Sequence, residues 1–556
     1  MTEFDVETLY GRRATDRWNR MAVGDILERL TWSRPDQDAI VAWPGAYGDE
    51  RFARVSYARA DAYANQIAQA LLAAGPRRGD RVLLFCENSV EAVLTLFGVA
   101  KAGLVAAPVN PMMAPDMVAA LIEQVRPAFA LVDAELWPAA GPAFAAAGLA
   151  PDVTITIGGG PVAGTTAFAD WIADTPDTEP DVPVHADDVW ALLFTSGTTA
   201  LPKASMVTST YSYGAAFSYA MSLNKGLRFE NDLRVVTFLP IIYHCGHNAA
   251  LFPTFLAGGT VVLGRRPDPV GTAAAVTEHR PTALWAGSPQ FLALIADVAE
   301  AEPGRTDLSS LTVAMFSWGA MPPPLAERWK RLCGPELGLL EVFGQTEAMS
   351  CYRFWLDQYP EKYRATAPAV NYVGAPNPLL GATVMAEDGT ILRGRPGVPG
   401  EAVYRSPVVT AGYYRDQAAT REAFRHGWFH SGDSCVYDED GLQIMVDRFK
   451  DIVKTGGENV SSLRVESVLA QHPAVERAVV IGLPDPRWGE LVTGVVVLRS
   501  GAAPGVDELI AFCRRRLAGY ETPKRIVVLD ELPQTVGGKV LKYRLRERLT
   551  AEPPNR

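Results

Sequence analysis

Paired cysteines, long apolar runs and a surplus of positive charge are all lacking in this chain of 556 residues. The six cysteines are scattered without a Cys-x-x-Cys pair, which argues against a disulfide framework or a structural zinc site. Apolar stretches such as 92–109 are broken by Lys101, and none reaches the roughly 20 residues of a membrane span. The N-terminus also lacks the basic-then-apolar layout of a signal peptide. We therefore expect a cytoplasmic protein with no membrane span.

The formal net charge of −11 is a poor electrostatic match to a nucleic-acid backbone, so we expect no nucleic-acid partner. The negative net charge does not exclude small anionic ligands, because these need only a local positive site. The charge is unevenly divided. From Phe449 onward 17 basic and 13 acidic side chains give +4, so the rest of the chain carries −15.

The length exceeds what one core of about 250–300 residues supports, so at least two domains are expected. Strand-like 81–86, helix-like 89–102 and strand-like 104–109 alternate as in α/β proteins, with Ser89 as N-cap. A later stretch predicts helices at 465–471 and 506–517 and strands at 478–482, 493–498 and 525–529. We predict an α/β fold: a large multi-layer N-terminal domain of β-sheets and helices (1–447) and a small mobile α+β C-terminal domain (448–556).

The densest chemical signal is Thr195-Ser-Gly-Thr-Thr-Ala-Leu-Pro-Lys203, where an apolar strand enters a hydroxyl-rich turn. Hydroxyls and backbone N–H groups in such a turn can donate to phosphate oxygens, and the lysine adds a positive charge. The segment is not a Walker A loop, because no glycine precedes Lys203 and no Ser or Thr follows it. The alternative interpretation is that this segment is an ordinary Ser/Thr turn without a ligand.

This segment resembles the phosphate loop of the adenylate-forming superfamily, which includes acyl-CoA synthetases, luciferases and peptide-synthetase adenylation domains. Six further segments match that family's motifs in order: Leu239-Pro-Ile-Ile-Tyr-His-Cys245, Ser317-Trp-Gly-Ala320, Phe343-Gly-Gln-Thr-Glu347, Gly427-Trp-Phe-His-Ser-Gly-Asp433, Asp447-Arg-Phe-Lys-Asp-Ile-Val-Lys-Thr-Gly-Gly457 and Pro533-Gln-Thr-Val-Gly-Gly-Lys-Val-Leu-Lys542.

The resemblance implies a two-step reaction, in which a carboxylate attacks the α-phosphate of ATP and a thiol then displaces AMP. It implies ATP (or AMP held as an acyl-adenylate), Mg²⁺ and coenzyme A as cofactors, and a small carboxylic acid as substrate. The implied nucleotide-binding residues are Thr195, Ser196, Gly197, Thr198, Thr199, Lys203, Gly319, Ala320, Phe343, Gly344, Gln345, Asp433 and Arg448. Thr346 would donate to the α-phosphate and Glu347 would ligate Mg²⁺.

The resemblance also places function near the C-terminus. Lys539 is the implied catalytic lysine, which bridges the substrate carboxylate and the α-phosphate during adenylation. Lys450 occupies the hinge position about which the small domain would turn between the two half-reactions. Lys454, Gly456 and Gly457 would then face CoA.

The acyl pocket is predicted to contain His244, His247, Asn248, Trp318 and Gly319. His244 would gate the carboxylate site. His247 and Asn248 could be polar groups of the pocket or satisfied core residues, and the sequence leaves both readings open. Trp318 stands where the family has a small residue, so its indole would narrow the acyl tunnel or supply a flat apolar wall, unless it is a core tryptophan.

Two further departures concern the phosphate loop, where Ala200 and Ala204 stand in place of glycines of the family. If either position needs a positive φ, alanine costs about 1–2 kcal/mol or reshapes the loop. We therefore predict an AMP-forming acyl-CoA ligase and keep two alternatives. One performs only thioester formation from acyl-AMP, and the other is a non-enzymatic scaffold. The oligomeric state and the acid itself stay open.

Overall fold

The computed structural model describes residues 20–113, 115–195, 202–225, 233–241, 244–368, 370–455, 458–534 and 540–551. Up to residue 208 the elements are α1 (Asp25–Ser33), β1 (Asp38–Ala42), β2 (Arg54–Ser56), α2 (Tyr57–Ala73), β3 (Arg81–Phe85), α3 (Val90–Lys101), β4 (Val105–Pro108), α4 (Pro115–Val125), β5 (Phe129–Asp133), α5 (Trp137–Ala146), β6 (Val153–Ile155), β7 (Thr166–Ala167), α6 (Phe168–Trp171), β8 (Val189–Phe194) and β9 (Ala204–Thr208), with 3₁₀ turns at Glu50–Phe52 and Ala134–Leu136.

The middle of the chain contains α7 (Ser209–Leu223), β10 (Arg234–Thr237), α8 (His244–Gly246), a π-helical turn (His247–Leu251), α9 (Phe252–Leu256), β11 (Thr260–Leu263), α10 (Pro269–His279), β12 (Ala283–Trp285), α11 (Pro289–Ala301), β13 (Val313–Phe316), α12 (Pro323–Cys333), β14 (Gly338–Gln345), β15 (Ala348–Trp355), α13 (Pro360–Thr366), β16 (Asn371–Pro376), β17 (Gly381–Met385), β18 (Gly400–Arg405), α14 (Gln417–Ala423), β19 (Phe424–Arg425), β20 (Trp428–Tyr437) and β21 (Gln443–Arg448).

The remaining elements are β22 (Val453–Thr455), β23 (Glu458–Val460), α15 (Ser462–Ala470), β24 (Val475–Asp485), β25 (Gly489–Leu498), α16 (Val506–Arg514), β26 (Arg525–Val528) and α17 (Lys542–Ala551). Helix α15 begins earlier than the predicted 465, because the Ser461 side chain accepts a hydrogen bond from Arg464 N and so caps the helix at Ser462. The helix predicted over 506–517 ends at Arg514, and the strand predicted over 478–482 is the middle of the longer β24.

Three sheets organise these elements. The first has seven strands in the order β7-β6-β5-β3-β4-β8-β9, parallel except for the final β8–β9 hairpin. The second has fourteen strands in the order β17-β18-β20-β21-β16-β15-β14-β13-β12-β10-β11-β1-β2, with β19 beside β20. The third has five strands, β23-β22-β25-β24 with β26 beside β25, and begins at Val453. The predicted α/β class with multi-layer sheets and helices is confirmed.

Helix α3 shows how the sequence places one of these layers. All twelve of its residues are buried, as expected for a helix that is apolar on every side, and Ser89 caps it by accepting from Ala92 N. Lys101 at its end is also buried, and its ammonium pairs with Asp61 at 2.9 Å and Glu179 at 2.5 Å. Interior charge is tolerated there because it is paired.

The topology creates one favourable edge for a site. Strands β10 to β14 run parallel in the fourteen-stranded sheet, so their carboxyl ends open on the same side. Crevices beyond the carboxyl ends of parallel strands are the usual ligand sites of such sheets. Within the described part of the chain, no helix is both long and apolar enough to cross a membrane.

Candidate active site

A cleft of about 580 Å³ opens at this edge. Its walls come from the β8–β9 hairpin, which carries the predicted phosphate loop and is called the phosphate hairpin below, from the ends of β12, β13 and β14, and from strands β20 and β21. It brings together ten of the residues predicted from the sequence: Thr195, Lys203, His244, Trp318, Gly344, Gln345, Thr346, Glu347, Arg448 and Lys450. Residues from five segments, spread over more than 250 positions, therefore meet in one place.

The phosphate hairpin is closed by a hydrogen bond from Thr195 N to Lys203 O of 2.9 Å. Ser196, Gly197, Thr198, Thr199 and Ala200 lie outside the described residues. Ala204 is the first residue of β9, pairs with Phe194, and keeps an extended backbone. Alanine at this position therefore carries none of the strain that a positive φ would impose.

A chain of contacts links the loop lysine to the predicted metal ligand. Lys203 Nζ lies 4.7 Å from the ring centroid of Tyr413, within cation–π range. The Tyr413 hydroxyl donates to Glu347 Oε1 at 2.9 Å. Burial and the neighbouring Glu347 carboxylate both raise the pKa of Tyr413, so its hydroxyl stays a donor. One aromatic ring thus fixes the relative positions of a cation and an anion in the cleft.

Glu347 suits the role of a magnesium ligand. Its side chain is 8% exposed and lines the cleft beside Thr346. Mg²⁺ in phosphate-handling sites commonly takes one or two carboxylates and completes its shell with water and phosphate oxygens. A single buried carboxylate facing the lysine-bearing loop fits that donor set.

The predicted ribose-binding pair is formed by adjacent strands. Asp433 on β20 lies directly opposite Arg448 on β21, and Arg448 Nε is 3.2 Å from Asp433 Oδ1. The Asp433 carboxylate raises the pKa of Arg448. Gln345 Nε2 donates to Asp433 Oδ2 at 3.4 Å, which connects the pair to the Phe343–Glu347 motif. Asp433 is 1% exposed, so its oxygens are held in place.

His244 begins helix α8 and lines the cleft. Its Nδ1 lies 3.4 Å from both the Tyr211 hydroxyl and Asn248 Nδ2. Its Nε2 makes no hydrogen bond with any residue that the structure describes. Burial lowers the pKa of His244 well below its usual value, so the ring is neutral. The neutral ring offers one N–H donor and one acceptor nitrogen.

His247 and Asn248 do not line the cleft, contrary to the prediction that places them in the acyl pocket. His247 is fully buried against Trp190 and Phe252, at ring-centroid distances of 5.5 and 5.6 Å, and its Nδ1 bonds Ile241 O at 2.8 Å. Burial lowers its pKa to about 4. Of the two readings the sequence leaves open, His247 is the core residue. The Asn248 side chain contacts the ring of His244, with Asn248 Nδ2 3.4 Å from His244 Nδ1. The π-helical turn His247–Leu251 carries both residues away from the cleft.

Trp318 lines the cleft and is 43% exposed, so it is a wall residue and not a core tryptophan. Its φ of +67° is unusual for a bulky residue. Gly319 and Ala320, which continue the turn, are absent from the cleft lining among the described residues, and Phe343 packs against Tyr352 with ring centroids 6.2 Å apart.

At the predicted hinge, Lys450 lines the cleft, and burial together with the Arg448 charge lowers its pKa. Asp447 Oδ2 accepts from Ser462 N at 2.6 Å and so ties β21 to the start of α15. Lys454 lies in β22 with an exposed side chain. Gly456, Gly457 and Lys539 fall in gaps of the described ranges.

Sequence reasoning missed several residues of the cleft. Tyr413 could have been found from Gly412-Tyr413-Tyr414, where aromatic residues follow a glycine. Glu401 contacts the stretch of β20 that leads to Asp433. Its carboxylate lies 2.7 Å from His430 Nδ1 and accepts a hydrogen bond from Gly432 N at 2.8 Å. Trp285, Tyr219 and Met349 also line the cleft, and they come from segments without any motif, whereas Cys245 ends the Leu239–Cys245 motif.

The arrangement is the one expected of a protein that binds a nucleotide and a carboxylate in one cleft, and comparisons with known proteins identify the class. The family model described as AMP-binding enzyme matches residues 28–414, and the AMP-binding enzyme C-terminal domain matches residues 464–539. The chain is 34% identical to a feruloyl-CoA synthase of Amycolatopsis sp. over 495 residues, covering 89% of this chain and 94% of that protein. It is 30% identical over 501 residues to the long-chain-fatty-acid–CoA ligase FadD13 of Mycobacterium tuberculosis, covering 90% and 94%.

Solved structures agree. ATP-bound MatB from Rhodopseudomonas palustris superposes with a TM-score of 0.80 at 26% identity, over 95% of this chain and 99% of that one. The anthranilate CoA ligase AuaEII in complex with anthranoyl-AMP shares the fold, with a TM-score of 0.81 at 24% identity over 97% and 99%. The chain belongs to the AMP-binding enzyme family, in its acyl-CoA ligase branch.

Proposed function

We propose that this acyl-CoA ligase carries out both half-reactions, adenylation of a carboxylic acid with ATP and transfer of the acyl group to CoA. The observation that carries the proposal is the continuous chain from Lys203 through Tyr413 to Glu347. Acyl-AMP has no β- or γ-phosphate. A protein that used only ready-made acyl-AMP would therefore not need Lys203 and its supporting contacts to bind them. Ala204 is also no argument against adenylation activity, because its backbone is extended and does not require glycine.

In the first step an oxygen of the substrate carboxylate attacks the α-phosphorus of ATP, and pyrophosphate leaves. Lys203, with Thr195, Ser196, Gly197, Thr198 and Thr199, holds the phosphates of the leaving group. The Thr346 hydroxyl donates to the α-phosphate. Glu347 would hold the magnesium ion, which would neutralise phosphate charge and so favour attack by an anionic carboxylate.

The remaining contacts orient the two reactants. Asp433 accepts hydrogen bonds from the ribose hydroxyls, and Arg448 donates to the same sugar. The neutral imidazole of His244 donates its N–H to the carboxylate without adding charge. Holding both reactants in one cleft replaces an encounter of two free molecules with an oriented, intramolecular step.

In the second step the CoA sulfur attacks the acyl carbonyl, loses its proton, and releases AMP. We infer that the unit from residue 448 onward turns about Lys450 between the steps. That turn exchanges Lys539, which stabilises the adenylation transition state, for the face with Lys454, Gly456 and Gly457. The charge of +4 from Phe449 onward favours the approach of the CoA phosphates. The free thiols of the described cysteines agree with a cytoplasmic location.

The test is a direct product assay. Purified protein is incubated with ATP, MgCl₂, CoA and a panel of acids that runs from benzoate and cinnamates to hexanoate and dodecanoate. We expect an acyl-CoA detected by mass, with AMP and pyrophosphate as the nucleotide products. Acyl-CoA formation with release of ADP and phosphate would contradict the proposal, as would no thioester from any acid.

A further inference from the structure

The acyl end of the cleft contains a buried hydrogen-bond donor without an oxygen or nitrogen partner among the described residues. Trp285 ends strand β12, is 2% exposed and lines the cleft. Its indole Nε1 meets no oxygen or nitrogen acceptor of any described residue, and its contact in the protein is with the Cys245 thiol. Buried polar groups in native proteins are nearly always paired, so a buried N–H on the wall of a ligand cleft points to a partner on the ligand.

The polar atom beside this N–H is a poor substitute for that partner. The sulfur of Cys245 neighbours the indole, and burial raises the pKa of the Cys245 thiol to about 12. Cys245 is therefore an uncharged thiol, which accepts hydrogen bonds only weakly. An oxygen acceptor on a bound molecule would be a stronger partner.

The second feature is the strained indole of Trp318. Bulky residues rarely adopt positive φ, and such strain persists where the surroundings hold it, often at ligand sites. Gly287 makes room for this ring, because a Cβ on Gly287 would lie 2.6 Å from Trp318 Cζ3. Ser317 N donates to Gly287 O at 2.5 Å and keeps the two turns together. One side of the indole is thus packed, while 43% of the residue stays exposed along the cleft.

The two indoles follow neighbouring strands. Trp285 on β12 is in register with Met315 on β13, and Trp318 follows β13 by two residues. Both side chains therefore line the same end of the cleft. One offers an aromatic surface, and the other offers a single donor.

We propose that Trp318 and Trp285 form a subsite for a planar aromatic acid whose ring carries a hydrogen-bond acceptor, such as a hydroxyl, methoxy or carbonyl oxygen, distal to the carboxylate. The ring stacks on Trp318, and the acceptor takes the N–H of Trp285. This assignment deepens the proposed ligase function and rests on it. A long aliphatic acid would offer the N–H no acceptor and would meet the Trp318 ring in its path.

The test compares matched acids in the whole enzyme. Cinnamate is set against its 3- and 4-hydroxy and 3- and 4-methoxy analogues, with hexanoate and dodecanoate as aliphatic acids. For the wild-type chain, kcat/KM for the best acceptor-bearing acid should exceed that for cinnamate by about 3- to 10-fold, the range of one neutral hydrogen bond. No preference for any analogue, or a preference for dodecanoate, would overturn the proposal.

The Trp285→Phe variant removes the donor and keeps an aromatic ring. The readout is the ratio of kcat/KM between the acceptor-bearing acid and cinnamate, because general damage lowers both values alike. The ratio should fall to about 1. A matched control is Trp329→Phe, which alters a fully buried tryptophan in α12 whose indole is already bonded to Leu292 O. The control should keep the wild-type ratio. An unchanged ratio in Trp285→Phe would refute the role of the donor.

The Trp318 wall is tested separately. Trp318→Gly should raise activity with dodecanoate relative to cinnamate by about tenfold, since deleting the ring lengthens the pocket. Gly287→Ala should lower activity with every aromatic acid, because the new methyl group displaces the ring. Equal relative rates for dodecanoate in wild type and Trp318→Gly would contradict the wall.

Calorimetric binding of the same acids without ATP separates this inference from the ligase proposal. If no acid yields a thioester but the acceptor-bearing acid still binds several-fold more tightly than cinnamate, the ligase proposal fails and the subsite stands. If thioesters form without any acceptor preference in rate or binding, the subsite fails and the ligase proposal stands.

Discussion

The two ends of the cleft are built in different ways. At the nucleotide end, the contacting residues come from short contiguous segments, such as Phe343-Gly-Gln-Thr-Glu347 and the β20–β21 pair Asp433 and Arg448. At the acyl end, Tyr219, Cys245, Trp285, Trp318 and Met349 come from five separate elements or turns.

This difference reflects what each end must recognise. Phosphates and ribose need charges and donors in a fixed local geometry, which one loop or one strand pair can provide. An acyl group is recognised mainly by shape, and shape is made by side chains that only the folded sheet brings together. We therefore expect substitutions at the nucleotide end to impair the chemistry for every acid. Substitutions at the acyl end should change which acid is used.

The largest effect should come from Lys539→Ala, which removes the charge that stabilises the adenylation transition state. Acid-dependent pyrophosphate exchange should fall by about 10²- to 10³-fold. Thioester formation from supplied acyl-AMP should stay close to wild type, because the proposed turn about Lys450 would take Lys539 out of the cleft in that step. Equal losses in both half-reactions would sink this assignment. Lys524→Ala is the matched control, since Lys524 is a lysine of the same unit whose ammonium donates to Gly519 O at 2.6 Å.

The next effect should come from Glu347→Gln, which keeps the shape of the side chain but removes its charge. Adenylation at saturating ATP should fall by about 10²-fold, and the Mg²⁺ concentration for half-maximal exchange should rise. Chelation with EDTA should stop exchange in the wild type, and added MgCl₂ should restore it. An unchanged Mg²⁺ requirement in Glu347→Gln would show that the metal is held elsewhere. Glu361→Gln, at an exposed position in α13, is the control.

A smaller effect is expected from the ring that joins Lys203 to Glu347. Tyr413→Phe keeps the aromatic surface under Lys203 but removes the hydroxyl that donates to Glu347. The apparent Mg²⁺ affinity should fall about tenfold, as is common when a ligand loses its supporting hydrogen bond. Tyr413→Leu should in addition raise the KM for ATP, because Lys203 loses its support. Equal behaviour of the two variants would show that the ring has no role beyond its hydroxyl, and wild-type Mg²⁺ affinity in Tyr413→Phe would show that the hydroxyl has none.

The smallest effect should be the response of the acyl end to pH. Burial disfavours the charged imidazolium of His244, so its pKa lies well below 6.5 and protonation requires more acid than an exposed histidine would. The kcat/KM for the acid should therefore show no histidine inflection between about pH 6 and pH 8. A fall in kcat/KM centred near pH 6.5, absent from His244→Gln, would show that the ring titrates in the normal range.

Much of the fold and of the nucleotide end could be predicted from the sequence. Ser89 marks the start of α3, and the βα alternation gives the α/β class, because caps and hydrophobic runs are local signals. Gly344, Gln345, Thr346, Glu347 and Arg448, which the resemblance predicts as site residues, line the cleft. Their roles in binding and catalysis stay predictions.

The acyl end could not be read in this way. His247 is next to a cleft residue in sequence but points into the core, because the π-helical turn sets its direction. Trp285 carries no motif, and its importance comes from its place at the end of β12 and from an N–H without an oxygen or nitrogen acceptor among the described residues. Likewise, the strain at Trp318 depends on Gly287, which is 31 residues earlier in the chain and one strand away.

The most direct test of the account runs the two half-reactions of the wild-type enzyme side by side with an acceptor-bearing aromatic acid. One arm measures exchange of labelled pyrophosphate into ATP without CoA, and the other measures thioester formation from the synthetic acyl-AMP and CoA. We predict activity in both arms, with exchange that depends on the acid and on Mg²⁺. Thioester formation without pyrophosphate exchange for any acid of the panel would contradict the account and leave an enzyme that uses only ready-made acyl-AMP.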